Sequence, residues 1–379
     1  MRIALFTATA DRTNGYGNIT YELSRHLHSL GNEVVLFVPR NEAKFVVEWN
    51  LPFEIRCVLP KNVFRLYQKE GWKYFRTIDV SGFDIVHSLF SFPFCIPAMR
   101  SARKYRKPFM MGAQGTYGVR PLTQFPERWF LKQCYRRAAA IAVPSMYTKE
   151  KICEYAGERY PITVIHNGVD YARFSRPVDT RKVREQYGNK KILLTVGGLK
   201  ERKGQDLVLQ ALQQIRSRRN DVVYVLVGEG NWKQGLQRMA ADLGVGDAVH
   251  FVGNKTGDEL VAYFQACDLY VHTPKVVDLN FEGFGIVYLE AGACGKPSVA
   301  TDAGGVRDAV VHGETGVVIN DGDVTGIASA VLDLLDHPDR IATLGSAARQ
   351  YAEKHDWALI AKSFMDLYVR NACVQCASQ

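Results

Sequence analysis

Glu282 and Glu290 stand eight residues apart, and between them lie Gly283, Phe284, Gly285, Ile286 and Val287. Glycines at such a spot free the backbone for close approach to a ligand. The apolar residues that follow read as a helix running to about Cys294. A helix start presents unpaired N–H groups, which suit an anion. The amides of Phe284, Gly285, Ile286 and Val287 can therefore point at phosphate oxygens. Glu282 would sit just before that helix, at the ligand. Glu290 falls about two turns in, where a buried carboxylate needs hydrogen-bond partners. Ribose hydroxyls are suitable ones. A helix cap with an ordinary polar contact would use the same residue types.

A second cluster lies upstream. Gly197 and Gly198 are followed by Lys200, Arg202, Lys203 and Gly204. Three cations beside glycines at a strand-to-helix turn would neutralise a diphosphate; a solvated basic turn is the alternative. Gly15 and Gly17, flanking Tyr16, precede an amphipathic stretch and offer either ligand approach or a plain turn. Asp302, Ala303, Gly304 and Gly305 make one more glycine-rich loop.

These loops need strands before them and helices after them, and the chain supplies both. Apolar runs at 2–8, 33–38, 53–59, 83–89, 108–113, 139–143 and 162–166 are rich in Val, Ile and Phe and read apolar on both faces. Strands covered by helices on both sides look like this. Between the first two, residues 18–30 put Ile19, Leu23, Leu27 and Leu30 on one helical face. The pattern restarts with strands at 191–196, 222–227, 248–252, 269–272, 298–301 and 316–319, and with helices at 207–215 and 258–266. Two such series imply an α/β chain of two doubly wound domains. The polar, basic stretch 171–190, with Pro177, reads as a linker plus a short helix. In open parallel sheets ligands sit beyond the carboxyl ends of the strands. Two such domains facing one another would enclose a cleft.

At 379 residues, 47% apolar and 23% charged, the chain has the composition of a two-domain globular protein. No apolar run approaches a membrane span. The first ten residues superficially resemble a signal peptide, but the apolar stretch is too short and mixed, and a first buried strand is the better reading. The expected location is cytoplasmic. Eight scattered cysteines read as reduced thiols, and the tail pair Cys373 and Cys376 has zinc-like spacing without a second pair of ligands. Residues 1–170 hold 24 Lys and Arg against 14 Asp and Glu, whereas 171–379 hold 24 against 25. That asymmetry points to an anionic partner for the first half: a membrane surface, a phosphorylated acceptor or nucleic acid.

The motifs together resemble the group-1 family of retaining glycosyltransferases, also called family 4, of GT-B fold. The matching residues are Gly15 to Asn18, Asn167-Gly168-Val169-Asp170, Arg202-Lys203-Gly204, Gly228-Glu229-Gly230, Phe251-Val252-Gly253, Glu282 to Glu290, Gly295-Lys296-Pro297 and Thr301 to Gly305. They keep the family's order over nearly the whole chain and are most specific in the C-terminal half.

The resemblance implies that residues 171–355 bind a nucleoside diphosphate sugar and that 1–170, with 356–379, bind the acceptor. It makes Lys203 the diphosphate contact and puts Glu282 at the transferred sugar. The amides of Phe284, Gly285, Ile286 and Val287 would hold sugar and phosphate, and Glu290 the ribose. The backbone at Val252 and Gly253 would meet the base. A final helix near 357–368 would cross back to the first domain. No metal or other cofactor is implied, and the Asp321 and Asp323 pair only mimics a metal motif.

Two positions depart from the family. Gly198 stands where an Arg is common, a loss that Arg202 on the same loop could offset. Gln114, before Gly115 and Thr116 in the expected acceptor site, stands where His is frequent. A Gln can hydrogen-bond a sugar but cannot serve as acid or base. That suits a mechanism in which the leaving diphosphate takes the acceptor's proton.

The basic half interleaves cations with aromatics at 64–76, 100–107 and 128–137, a pattern suited to an interfacial helix on anionic lipid. Solvated helix faces over core aromatics are the alternative. The expected acceptor is a glycan or a lipid-linked hydroxyl, in cell-surface polysaccharide or lipopolysaccharide synthesis. Two other classes remain beside transfer to such an acceptor: an epimerase of the same fold, and a transferase acting on a small soluble acceptor. No nucleic-acid-binding module is recognisable.

Overall fold

The computed structural model describes residues 1–12, 14–63, 65–157 and 159–376, so Thr13 of the first glycine loop and Phe64 of the basic–aromatic stretch lie outside it. The side chains of Cys373 and Cys376 also lie outside the described residues.

The chain divides into two compact units, Met1–Asn167 with Trp357–Gln379, and Gly168–Asp356. The first is built on seven parallel strands: β1 (Arg2–Phe6), β2 (Glu33–Pro39), β3 (Glu54–Leu59), β4 (Ile85–Ser88), β5 (Phe109–Gly112), β6 (Ala140–Val143) and β7 (Ile162–Val164). Their order is β3-β2-β1-β4-β5-β6-β7, so the winding reverses between β1 and β4. Edge position accounts for two departures from strands apolar on both faces. β3 is half-buried with Glu54 and Val58 exposed and Glu54 pairing to Arg56, and β7 is likewise half-buried. An edge strand has one uncovered side and tolerates charge there. The final helix, Trp357–Cys376, belongs to this unit, and its Tyr368 hydroxyl lies 2.7 Å from Nδ1 of buried His87 on β4.

The second unit carries β8 (Lys191–Val196), β9 (Val222–Val227), β10 (Val249–Gly253), β11 (Leu269–His272), β12 (Ser298–Thr301) and β13 (Gly316–Ile319). All pair in parallel in the order β10-β9-β8-β11-β12-β13, with the reversal between β8 and β11. Alternation along β9 shows why these strands read apolar throughout. Val223, Val225 and Val227 enter one core, and Val222, Tyr224 and Leu226 enter the other, on the opposite face. A strand buried on both faces has no solvent side to mark with polar residues. The stretch after Asp170 holds two short helices, Tyr171–Ser175 and Arg181–Tyr187, rather than one.

Both sheets are doubly wound.

Candidate active site

The loops after β8 and β11 leave the sheet of the second unit where its winding reverses. Adjacent strands there send their following helices to opposite faces, which opens a crevice at the carboxyl edge. The two loops touch inside it. Gly204 closes the first loop in the left-handed region, at φ 68°, and a Cβ there would lie 1.6 Å from the Thr273 carbonyl oxygen. Only glycine permits that approach. The Thr273 hydroxyl then donates to the Gly204 carbonyl at 2.8 Å, and Lys275 N–H to the Arg202 carbonyl at 2.8 Å. Lys275 also pairs with Asp206 at 2.7 Å, a second clamp between the same two segments.

This clamp brings Arg202, Lys203 and Glu282 together. Lys203 Nζ lies 2.5 Å from Glu282 Oε2, and Arg202 Nη1 lies 3.2 Å from the same oxygen. The Glu282 and Lys203 side chains are 13% and 15% exposed, so the pair is largely out of water. Burial raises the Glu282 pKa, but Lys203 first, then His272 and Arg202, outweigh it and hold the carboxyl well below its usual range. Burial lowers the Lys203 pKa, and Glu282 offsets part of that effect. The Glu282 carbonyl accepts from Gly305 N–H at 2.8 Å, which ties in the glycine loop after β12.

Gly285, at φ 92°, caps the helix Ile286–Ala293, and a Cβ there would meet the Tyr288 ring at 2.6 Å. Phe284 is buried in the core, while Ile286 and Val287 are half-buried in the first turn. First-turn amides have no intrahelical acceptor. Glu290 lies farther along that helix, where burial pushes its carboxyl up to about 7 despite the positive charge of Arg173. Arg173 stands on the helix Tyr171–Ser175, whose start is capped by Asp170 accepting Arg173 N–H at 3.1 Å. Val252 and Gly253 end β10, where Gly253 accepts from Gly228 N–H at 2.9 Å. Gly198 accepts from the Gln205 side chain at 3.2 Å. Asp321 and Asp323 accept backbone N–H groups of Val276 and Gly326.

One neighbour was missed by the sequence reading. His272 closes β11, is fully buried, and has its Nε2 4.0 Å from Glu282 Oε2. The signal was available: a polar residue ends the apolar run Leu269, Tyr270 and Val271.

Two family models match this chain, one described as Glycosyl transferases group 1 over residues 179–351 and one as Glycosyltransferase Family 4 over 13–173. The chain belongs to this glycosyltransferase family.

Among its relatives is the GDP-mannose-dependent alpha-(1-6)-phosphatidylinositol monomannoside mannosyltransferase of Mycolicibacterium smegmatis, 37% identical over 230 residues, or 59% of this chain and 60% of the relative. Another is D-inositol 3-phosphate glycosyltransferase 2 of Catenulispora acidiphila, 33% identical over 61% of this chain and 56% of that one. The matched stretches thus span about 60% of the curated relatives' length. Among solved structures, HepE of Anabaena in complex with UDP and glucose is similar in fold. Its TM-score is 0.80 at 21% identity, covering 98% of this chain and 100% of that one.

In this family member the remaining expected site residues lie in the first unit. Gly15 begins the helix Gly15–Ser29, capped by Asn14, which accepts from Gly17 N–H at 3.0 Å. Gln114, Gly115 and Thr116 follow β5. Buried Gln114 accepts from Asn167 at 3.2 Å, and its backbone oxygen accepts from the Tyr16 hydroxyl at 3.4 Å. The Tyr16 ring packs edge-on against Phe90 and Tyr117.

The three basic–aromatic stretches of that unit converge. Arg65 pairs with Glu127 at 3.1 Å and donates to the Phe125 carbonyl, and Phe75 packs against Phe130. Arg100 donates to the Phe75 carbonyl at 2.7 Å. Residues 65–76 do not form the expected interfacial helix. They fold as turns with one short 3-10 segment, Gly71–Phe75, because Leu66 and Tyr74 turn into the core. What remains outward is Tyr67, Trp72, Phe125 and Trp129, each more than half exposed, with Arg76 stacked over Trp72. Among the described residues no helix is long and apolar enough to cross a membrane.

Proposed function

We propose that this protein transfers a hexose from a nucleoside diphosphate sugar, with retention, to a hydroxyl of a glycan or lipid-linked acceptor. The observation that carries this is the convergence of Arg202 and Lys203 on Glu282 at the strand reversal of the second unit. Two cations in a low-dielectric crevice, beside a helix start, form a receptor for a diphosphate. A carboxylate between them and the helix is placed for sugar hydroxyls, and Glu290 for the ribose. GDP-mannose is the donor tested first, because the mannosyltransferase relative is GDP-mannose-dependent.

Bond changes follow from that receptor. The bond from sugar C1 to the diphosphate oxygen breaks as the acceptor oxygen bonds to C1 on the same face. The acceptor's proton passes to the departing phosphate oxygen. Lys203, Arg202 and the amides at Ile286 and Val287 stabilise the charge that develops there, which is the main catalytic contribution. Gln114 donates or accepts hydrogen bonds to the acceptor but moves no proton. No residue in this scheme requires a metal ion.

The first unit takes the acceptor, and its exposed aromatic and basic face rests on anionic lipid at the inner face of the cell membrane, which supports a lipid-linked acceptor. Thermal melts with GDP-mannose, UDP-glucose and ADP-glucose test the donor half. A bound nucleotide sugar raises the melting temperature by mass action. No shift with any of the three at millimolar concentration would refute the assignment.

A further inference from the structure

The Lys203–Glu282 pair occupies the groups that a donor needs. If the diphosphate takes Lys203 and Arg202, the Glu282 carboxylate, only 13% exposed in this structure, loses both of its cationic partners. An ionised carboxylate at that depth needs a replacement donor. The groups facing it are known. Lys203 and Arg202 come from the loop after β8, the Gly305 N–H is spent on the Glu282 carbonyl, and His272 comes from the end of β11.

His272 is the anomaly among them. The side chain is 0% exposed, yet neither ring nitrogen has a hydrogen-bond partner. Rings of Tyr270 and Tyr288 stand beside the imidazole, and the Tyr288 hydroxyl donates to the His272 carbonyl at 2.8 Å, so the strand end is fixed. A buried polar group without a partner is costly and needs an explanation in function or in a second state. Its Nε2 lies 4.0 Å from Glu282 Oε2, the oxygen that both cations hold, beyond hydrogen-bond reach in this state.

We propose that His272 is a positioning residue of the donor site: when the donor's diphosphate draws Lys203 and Arg202 away, Nε2–H of the neutral imidazole takes over the Glu282 carboxylate and aims it at the sugar. The exchange leaves Glu282 with a charge-assisted hydrogen bond in both states, from ammonium and guanidinium before binding and from the imidazole after it. It also explains a histidine in the centre of an apolar parallel sheet, where a Val or Leu would pack without cost. The inference rests on the reading that the second unit binds a nucleoside diphosphate sugar.

The test is calorimetric titration of the full chain with GDP, GDP-mannose, UDP and UDP-glucose. His272→Phe keeps the ring volume and removes the donor. It weakens the nucleotide sugar about tenfold, the size of one lost hydrogen bond, and leaves the bare nucleoside diphosphate within about twofold. His272→Gln puts an amide N–H near the position of Nε2 and restores most of the affinity. His272→Asn puts it near Nδ1 and does not. In a Glu282→Gln background, His272→Phe has no further effect.

Equal losses for diphosphate and sugar, no loss at all, a Gln variant no better than Asn, or an effect that persists without Glu282 would each overturn the assignment. If the Phe variant does not fold, the contrast between Gln and Asn carries the same test. Wild-type protein that binds none of the four ligands refutes the donor site itself. Wild-type protein that binds a nucleotide sugar with no dependence on His272 refutes only the role of the histidine.

Discussion

Lys203 and Glu282 hold each other at 2.5 Å in a site where both are about one-seventh exposed. Each therefore limits what the other can do for a ligand. A diphosphate must compete with Glu282 for the ammonium, so Glu282→Gln, which removes the competing charge, is expected to tighten GDP or UDP binding severalfold. The same change weakens the corresponding nucleotide sugar, because the sugar contact is lost. Titration of both ligands decides this, and weaker binding of the bare diphosphate would remove the competition from the account. Lys203→Ala acts in the opposite sense. Transfer from donor is expected to fall about 10²- to 10³-fold, the usual cost of losing a preorganised electrostatic contact. Near-normal turnover in a sugar-transfer assay would end the role of Lys203.

At the scale of elements, the loop after β8 and the helix Ile286–Ala293 each carry a testable constraint, a close backbone approach at Gly204 and a buried carboxyl at Glu290. Gly204→Ala is expected to lower stability by at least about 2 kcal/mol, because a Cβ would meet the Thr273 carbonyl at 1.6 Å and the left-handed backbone disfavours it. Loss of nucleotide binding should accompany that shift in a denaturant melt, since the clamp places Lys203. The helix contributes a pH dependence. Burial pushes the Glu290 carboxyl up to about 7, above its ordinary 4.5, so the fold prefers its protonated form. Stability from this group is fully present below about pH 4.5 and is lost as the pH rises through about 7. Glu290→Gln cannot ionise and escapes that loss. Its melting temperature should gain on the wild type between pH 5 and pH 8, and an unchanging difference would contradict the assignment.

For the whole molecule, the excess positive charge and the exposed aromatics share the first unit. Arg76 with Trp72, and Arg65 with Tyr67, form cation–π pairs at its surface, while Phe125 is 84% exposed. Such a face suits the interface of an anionic bilayer. The full chain is expected to sediment with vesicles containing phosphatidylglycerol in low salt and to be released as salt rises. Trp72→Ala with Phe125→Ala should weaken binding about tenfold or more at constant charge, since each ring contributes buried apolar area. Equal sedimentation with neutral vesicles, or indifference to both substitutions, would refute the membrane role.

Much of this architecture was legible in the chain. Strands β8, β9, β11, β12 and β13 fall where short apolar runs end at glycine or polar loops, because length and those boundaries mark a strand that is buried on both faces and shows no alternation. The edge strands β3 and β7 and the aromatic stretch 65–76 were less so, since edge position and the inward turn of Tyr74 depend on neighbours far along the chain. Residue types alone marked Lys203, Glu282 and Glu290 as chemistry at loops and a helix start. The sequence by itself determined two doubly wound domains and the loops that carry charge, because local periodicity and glycine placement decide both. Only the tertiary structure decided that those charges neutralise each other over 79 residues of chain and that His272 stands unpaired beside them. Strand order sets that contact: β8 and β11 become neighbours through long-range pairing, which no local pattern records.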